Sequence, residues 1–397
     1  MNHLYKKLVH KQLSQINNAS ILIEDGDEIK RFGNSKSLIA KIKVISPSFY
    51  KNIIFGGSIG ASESFIRGEW KSPNLTKVIQ VFARNTEAQD KLESFFIFLL
   101  QPFFRVIHRL NQNTIKGSKK NISRHYDLSN DFFKLFLDKK MMYSSAIFKT
   151  KKTNLEDAAA NKLNVICKKL KLKKSDHLIE IGSGWGGFAI FAAKNYGCKV
   201  TTTTISIEQY KFTKNRIREM GLAKQIRVLL KDYRSLRGQY DKLVSIEMIE
   251  AVGHQFYDEY FSVISRLLKA DGEALIQAIT IKDQRYSHAI KSVDFIQKYI
   301  FPGSCIPSLT AIQNSLTNST DLVINDVRDI GRHYARTLAH WRGNFIKNKK
   351  NIRKLGFDEE FLRMWLFYFA YCEGGFEEKV ISDVHLHITK PGYRNTI

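Results

Sequence analysis

Between an apolar run and a helical one lies Leu178-Ile179-Glu180-Ile181-Gly182-Ser183-Gly184-Trp185-Gly186-Gly187. Glycines at a strand-to-helix turn let the backbone bend sharply and let a ligand approach main-chain N–H groups. Gly182, Gly184 and Gly187 match the G-x-G-x-x-G spacing of dinucleotide sites. Such a site also needs an acid at the end of the second strand, about 20 residues on, to hold a ribose. Here that strand closes as Thr201-Thr202-Thr203-Thr204-Ile205-Ser206, and Glu208 and Gln209 come only at the next helix start. An acid does stand two residues before the first glycine, at Glu180. S-adenosylmethionine (SAM) carries an ammonium and a sulfonium and no pyrophosphate, so a carboxylate beside the loop suits it better. Asp232, closing the third strand, is placed to accept a hydrogen bond from an adenine amine. The residues therefore favour SAM over a dinucleotide.

A second group follows the fourth strand, in Ser245-Ile246-Glu247-Met248-Ile249-Glu250. Glu247 and Glu250 are three apart and share a face if the strand has already given way to helix. They stand at the carboxyl edge of the sheet, where ligands bind in open α/β folds. Glu250 is the favoured functional acid, and Glu247 reads as a capping or solvated one. Tyr334 is a third candidate, weak on its own because a lone Tyr is more often core.

These groups need a scaffold, and the pattern supplies one. Short strands are expected at 177–182, 198–205, 226–232, 242–246 and 273–280, with helices at 188–195, 208–220 and 257–269 between them. That alternation predicts a parallel sheet covered on both faces. The β-rich stretches 322–330 and 380–390 could complete it. Ahead of it, Ser37–Ser46 alternates like a strand, Gly56–Gly60 reads as a turn cluster, and a short helix is expected over Ala61–Arg67. A further helix is expected over Asn74–Arg84, with Ser72 as cap and Pro73 as first residue. The polar, basic segment Asn111–Lys120 marks a domain boundary.

The chain has 397 residues, with 63 Lys and Arg against 38 Asp and Glu, a net charge of +25. Such a charge attracts anionic surfaces. No nucleic-acid recognition motif accompanies it. Four scattered cysteines show neither zinc spacing nor a disulfide framework, which fits reduced thiols in the cytoplasm. No metal site is expected, and the first residues do not read as a signal peptide. The densest apolar stretch, Phe95–Phe104, is too short for a membrane span of about 20 residues. It reads as a buried helix or as a surface dipping into a bilayer, with Arg105, Arg109, Lys116, Lys119 and Lys120 just beyond.

Taken in order, His125–Phe133 (HYDLSNDFF), Met141–Phe148 (MMYSSAIF), the glycine loop, Thr203–Gln209 (TTISIEQ), Lys231–Arg234 (KDYR), Ser245–Gly253 (SIEMIEAVG), Phe295–Gly303 (FIQKYIFPG) and His333–Leu338 (HYARTL) resemble the cyclopropane-fatty-acyl-phospholipid and mycolic acid cyclopropane synthases. Gly57–Trp70 looks like the small N-terminal domain of the bacterial phospholipid enzymes. The resemblance implies a Rossmann-like SAM-dependent methyltransferase domain with a mostly parallel seven-stranded sheet, over 126–397. A lipid-binding insertion is implied around 281–320, a linker at 111–125 and a small α+β domain at 1–110, the last a candidate for membrane or dimer contact.

The implied activity is transfer from SAM onto a cis double bond of a phospholipid acyl chain, by an enzyme peripheral at the inner membrane face. The implied SAM contacts are Tyr143, Ser144, Gly182, Gly184, Thr204, Gln209 in the ribose role, Asp232 and Tyr233, with Glu180 and Gly186 of the loop beside them. A bicarbonate ion is implied as general base, held by Ser145, Glu250, Gln277, the backbone of Ile279, and Tyr334. Ser145 stands where many members have Cys, and Gln277 where many have His. The alternative is a methyltransferase of the same fold that produces a methyl-branched fatty acid or acts on another lipophilic substrate.

Overall fold

The computed structural model describes residues 2–85 and 128–394. The apolar stretch at 95–104, the basic residues after it, the linker at 111–125 and the start of the HYDLSNDFF segment lie outside them. The chain divides into two compact units. One comprises the described parts of 1–110 with 291–300 and 338–380, and the other 128–290, 301–337 and 381–394. The first unit thus takes in two later segments that the sequence pattern had assigned to the catalytic domain.

The first unit carries helix α1 (Asn2–Leu13) and strands β1 (Ser20–Asp25), β2 (Glu28–Phe32) and β3 (Ile39–Val44). Helix α2 (Ser48–Ile66), strand β4 (Trp70–Lys71) and helix α3 (Leu75–Arg84) follow. The sheet order is β2-β1-β3-β4. Strand β3 buries Ala40, Ile42 and Val44 while Lys41 and Lys43 face outward and pair with Glu24. The glycine cluster at 56–60 is a kink and not a terminating turn: only Gly57 leaves helical geometry, at φ 54°, and α2 continues past it. The cap of α3 is Asn74 and not Ser72. Asn74 Oδ1 accepts the Lys77 N–H at 3.1 Å, and Ser72 Oγ accepts the Asn74 N–H at 3.2 Å. An Asn side chain caps at least as well as Ser, and this one lies adjacent to the first helical residue.

The second unit carries α4 (Asn130–Lys134), α5 (Leu155–Lys169), β5 (His177–Ile181), α6 (Gly187–Tyr196), β6 (Lys199–Thr204), α7 (Ile207–Glu219) and β7 (Ile226–Leu230). It continues with β8 (Tyr240–Ile246), α8 (Tyr257–Leu267), β9 (Leu268–Ile281), α9 (Asp283–Ala289), α10 (Leu309–Ser319), β10 (Val323–Asp329), the first part of α11 (Gly331–Lys347), and β11 (Ile381–Thr389). Its seven-stranded sheet has the order β10-β11-β9-β8-β5-β6-β7. Strands β5 to β9 run parallel, and β11 is antiparallel to both β9 and β10.

Side-chain alternation splits the core between the two faces. Ile179, Ile181, Leu243 and Ile276 pack with α8 and α10 on one. Leu178, Val200, Val244 and Leu275 pack with α5 and α6 on the other. Burial on both faces explains why these strands read as nearly continuous apolar runs.

Candidate active site

Five parallel strands end their carboxyl termini at one edge, and the antiparallel β11 places its middle beside β9. The register sets His385 opposite Gln277 and Asp383 opposite Ile279. From this edge rise the glycine loop after β5 and the acidic turn after β8.

In the loop, Gly182, Gly184 and Gly186 have φ of 94°, 47° and 82°, a region that disfavours any side chain. The loop is buttressed from two sides. Trp185 Nε1 donates to Asn130 Oδ1 at 2.6 Å, and Thr213 Oγ1 donates to the Gly184 carbonyl at 3.2 Å. A Cβ on Gly186 would lie 2.7 Å from Thr213 Cγ2, and one on Gly187 would lie 2.4 Å from Met142 Sδ. A Cβ on Gly184 would meet nothing within 4 Å. The loop is therefore packed beneath and open at Gly184, and this cradle fits a bound cofactor.

The other residues assigned to the cofactor occupy distinct settings. Thr204 Oγ1 donates to Gln209 Oε1 at 2.9 Å, which fixes the Gln209 amide at the start of α7. Tyr143 lies in an aromatic wall, 5.4 Å from the Phe133 ring and 6.3 Å from Phe301 between centroids. Ser144 Oγ accepts from the Nζ of Lys162 at 2.8 Å. Lys162 is fully buried, and burial pulls its ammonium down to about 8 against the opposing charge of Glu247.

Glu180 is buried and accepts from Thr202 Oγ1 at 2.6 Å, and burial pushes its carboxyl up to about 8. Burial thus favours its protonated form, whereas a free carboxylate is expected beside an ammonium. Asp232 is clamped by its own neighbour: Arg234 reaches Oδ1 through Nε at 2.9 Å and Oδ2 through Nη2 at 2.8 Å. The Tyr233 hydroxyl is buried without a hydrogen-bond partner.

The acidic turn departs furthest from expectation. Glu247 is a centre of the site and not a solvated cap. Its Oε1 accepts the Ser145 N–H at 2.8 Å and Gln277 Nε2 at 2.7 Å, and its Oε2 accepts the Tyr334 hydroxyl at 2.6 Å. Its backbone sits at φ 49°, a left-handed conformation that costs an L-residue about 1–2 kcal/mol. Three hydrogen bonds to a carboxylate, each worth roughly 1–2 kcal/mol, more than offset that.

Gln277 is buried and its orientation is locked. The second Nε2 hydrogen reaches Asp383 Oδ2 at 2.8 Å, and Oε1 faces His385 Nε2 at 3.2 Å. Burial pulls His385 down to about 3, so its ring is neutral and donates here. Glu250 lies on the same turn. Its Oε1 accepts the Ile279 N–H at 2.5 Å, and Oε2 is buried without a partner among the described residues. Burial and the nearby Glu247 push its carboxyl up to about 8.

All five residues assigned to bicarbonate thus come together, but the Ser145 and Ile279 N–H groups, Gln277 Nε2 and the Tyr334 hydroxyl already meet glutamates of the chain, and the Ser145 hydroxyl donates to the Ala146 carbonyl at 3.1 Å. Sequence reasoning missed Lys162, Asp383, His385 and Asn130 as members of this site. The only signal for Glu247 was its spacing of three from Glu250.

A seven-stranded sheet with this order, a glycine loop after its first strand and acids after its fourth define a SAM-dependent methyltransferase fold. A family model described as mycolic acid cyclopropane synthetase matches residues 113–386, and the chain belongs to that family. It is 38% identical over 330 residues to the tuberculostearic acid methyltransferase UfaA1 of Mycobacterium tuberculosis, covering 81% of this chain and 76% of that one. It is 35% identical over 348 residues to the cyclopropane-fatty-acyl-phospholipid synthase of Escherichia coli K12, covering 86% of each. Among solved structures, the cyclopropane synthase CmaA1 complexed with SAH and CTAB matches with a TM-score of 0.64 at 30% identity, over 68% of this chain and 98% of that one. The cyclopropane synthase MmaA2 of M. tuberculosis matches with the same TM-score at 28% identity. The protein is accordingly a SAM-dependent enzyme that transfers a one-carbon unit to lipid acyl chains.

Proposed function

We propose that the protein adds a methylene carbon across the cis double bond of an unsaturated phospholipid acyl chain and closes a cyclopropane ring. One observation carries this reading: an open glycine cradle and a hydrogen-bonded carboxylate, Glu247, at the same sheet edge. When bound, SAM supplies an electrophilic methyl group. An alkene is a weak nucleophile, so the donor must be aimed at it in a site from which water is excluded. The wall of Phe133, Phe136, Tyr143 and Trp185 provides such surroundings on the loop side. Aromatic faces also ease the positive charge left on the acyl chain. Ring closure then needs a base within hydrogen-bond reach of the added carbon.

The cofactor set above fits SAM, with the Gly184 cradle, Thr204 and Gln209, and Tyr143 and Ser144 as its holders. The bicarbonate set does not fit a free anion, because Glu247 and Glu250 engage the Ser145 and Ile279 N–H groups, Gln277 Nε2 and the Tyr334 hydroxyl.

The substrate reading commits to a membrane lipid. Its support is the +25 charge and the likeness to the E. coli phospholipid enzyme. Among the described residues no helix is long and apolar enough to cross a membrane. A second reading, a methylene- or methyl-branched product, is favoured by the likeness to the tuberculostearic acid methyltransferase.

The deciding experiment expresses the chain in a host lacking such lipids and analyses its fatty acids. A gain of one CH₂ is expected, with ring protons in the NMR spectrum. Vinylidene protons would select the second reading, and no mass gain would overturn both.

A further inference from the structure

We infer that the carboxylate of Glu247 is the protein's own general base, standing where relatives would hold an exchangeable anion. The inference rests on the proposed lipid-alkylation function and names the group that completes it.

Four hydrogen-bonding groups were assigned to the anion besides the Glu250 side chain. Gln277 Nε2 and the Tyr334 hydroxyl converge on Glu247 at 2.7 and 2.6 Å and the Ser145 N–H joins them at 2.8 Å, while the Ser145 hydroxyl donates to the Ala146 carbonyl at 3.1 Å. The fourth, the Ile279 N–H, is taken by Glu250. Gln277 cannot turn a hydrogen elsewhere, because Asp383 holds its second one and His385 faces its oxygen. A bicarbonate ion would meet two carboxyl groups here, with only the Ser145 hydroxyl of this set not held by either of them.

The same count shows which acid is ionised. Glu247 receives three donors. Among the described residues, the Oε2 of Glu250 and the Oδ1 of Asp383 are buried with none, so these two acids keep their protons. Burial pushes Glu247 up as well, and the bonds from Tyr334 and Ser145 with the charge of Lys162 pull it back. The cluster holds one anion, and that anion is Glu247.

The count of lone pairs agrees. Ser145, Gln277 and Tyr334 are buried, whereas Glu247 and Glu250 are both partly exposed. A carboxylate oxygen accepts two hydrogen bonds. Oε1 has both, and Oε2 has one among the described residues. The remaining lone pair of Oε2 is the proton acceptor.

The step balances. The alkene π pair forms the new C–CH₃ bond as the C–S pair leaves with sulfur, which places a positive charge on the neighbouring acyl carbon. One C–H bond of the new methyl breaks, and its pair makes the C–C bond that closes the ring. The proton forms an O–H bond with Oε2, and the neutral acid returns it to solvent before the next turnover.

The test uses the full chain in buffers freed of carbon dioxide. Wild-type turnover should be the same within twofold with or without added bicarbonate. Glu247→Gln should lose about 10²-fold or more in kcat, the range for general base catalysis, with SAM affinity by calorimetry unchanged. Glu247→Gly suits the φ of 49° and vacates the donors. It should be equally slow and recover at least about tenfold, within the range a positioned base supplies, with bicarbonate or formate. The ¹³C NMR line of labelled bicarbonate should broaden with Glu247→Gly and not with wild type. Bicarbonate stimulation or broadening in wild type, full activity in Glu247→Gln, or no rescue of Glu247→Gly would each overturn the assignment. If wild type yields no CH₂-gained lipid, the functional reading fails, and the NMR comparison still decides whether Glu247 fills the anion position.

Discussion

Replacing Gly184 by Ala separates folding from cofactor binding at the loop. A methyl group there meets no atom within 4 Å, so the folded protein bears only the strain of an L-residue at φ 47°, about 1–2 kcal/mol. That lowers Tm by a few degrees, since 1 kcal/mol shifts a domain of 150–250 residues by about 2–4 °C. If the open space at Gly184 is where SAM lies, the methyl occupies it. Overpacking costs about 1–3 kcal/mol, which weakens binding roughly 5- to 150-fold. Gly187→Ala is the contrast. Its Cβ would lie 2.4 Å from Met142 Sδ and 2.8 Å from the Lys140 carbonyl, so the fold itself suffers. Calorimetric titration with SAM and thermal melts of both variants measure the two effects. A Gly184→Ala protein that binds SAM within twofold of wild type would refute the placement of the cofactor over this bend.

Glu180, pushed up to about 8 by burial, keeps its proton in the folded state while the unfolded chain loses it near the ordinary 4.5. Its contribution is complete below 4.5 and is lost as pH rises to 8, at up to about 1.4 kcal/mol per pH unit. Glu180→Gln should remove this part of the slope in denaturant melts between pH 5 and 8, and an unchanged slope would contradict it. Lys162 works in the opposite sense. Its ammonium is pulled down to about 8 from 10.5, so its penalty is full below pH 8 and fades as pH rises to 10.5. Lys162→Met should abolish that rise in stability, and a persisting rise would assign it to other groups. The +25 charge predicts binding to anionic vesicles that weakens as salt rises, because exposed charges are screened within about 10 Å at 0.1 M. Equal binding to neutral vesicles would contradict it.

The parallel sheet was legible because its strands are buried on both faces and its turns carry glycine, a local signal. The loop after β5 was legible for the same reason. The cap of α3 was misplaced by two residues, since Ser72 and Asn74 are both good caps and only geometry chooses between them. The partner of Asp232 lies two residues on, at Arg234, and KDYR could have revealed it. Glu247 was a different problem. Its partners Ser145, Gln277 and Tyr334 lie 102, 30 and 87 residues away, so no window of sequence contains its environment. A spacing of three suggests a shared face, whereas the left-handed backbone at Glu247 and the short turn at Ile249–Ala251 set the two acids to different partners. The addition of 291–300 and 338–380 to the first unit was invisible for the same reason, because an amphipathic helix does not declare what it packs against.

The identity of the base does not decide between a ring and a branch. In both outcomes the proton can leave the newly added methyl carbon. If it leaves while the positive charge sits on the neighbouring carbon, the C–H pair closes three atoms into a ring. If a hydride first moves from the methylated carbon to that neighbour, the charge lies beside the methyl group, and loss of the same proton gives a methylene branch. One carboxylate aimed at one carbon serves both, which is consistent with a single family containing members named for either product. The discrimination must then lie in how long the cation survives before Oε2 takes the proton. A base held through three hydrogen bonds beside a locked Gln277 is already in place when the cation forms, so on the proposed reading it is the substrate's position relative to Oε2 that sets that interval.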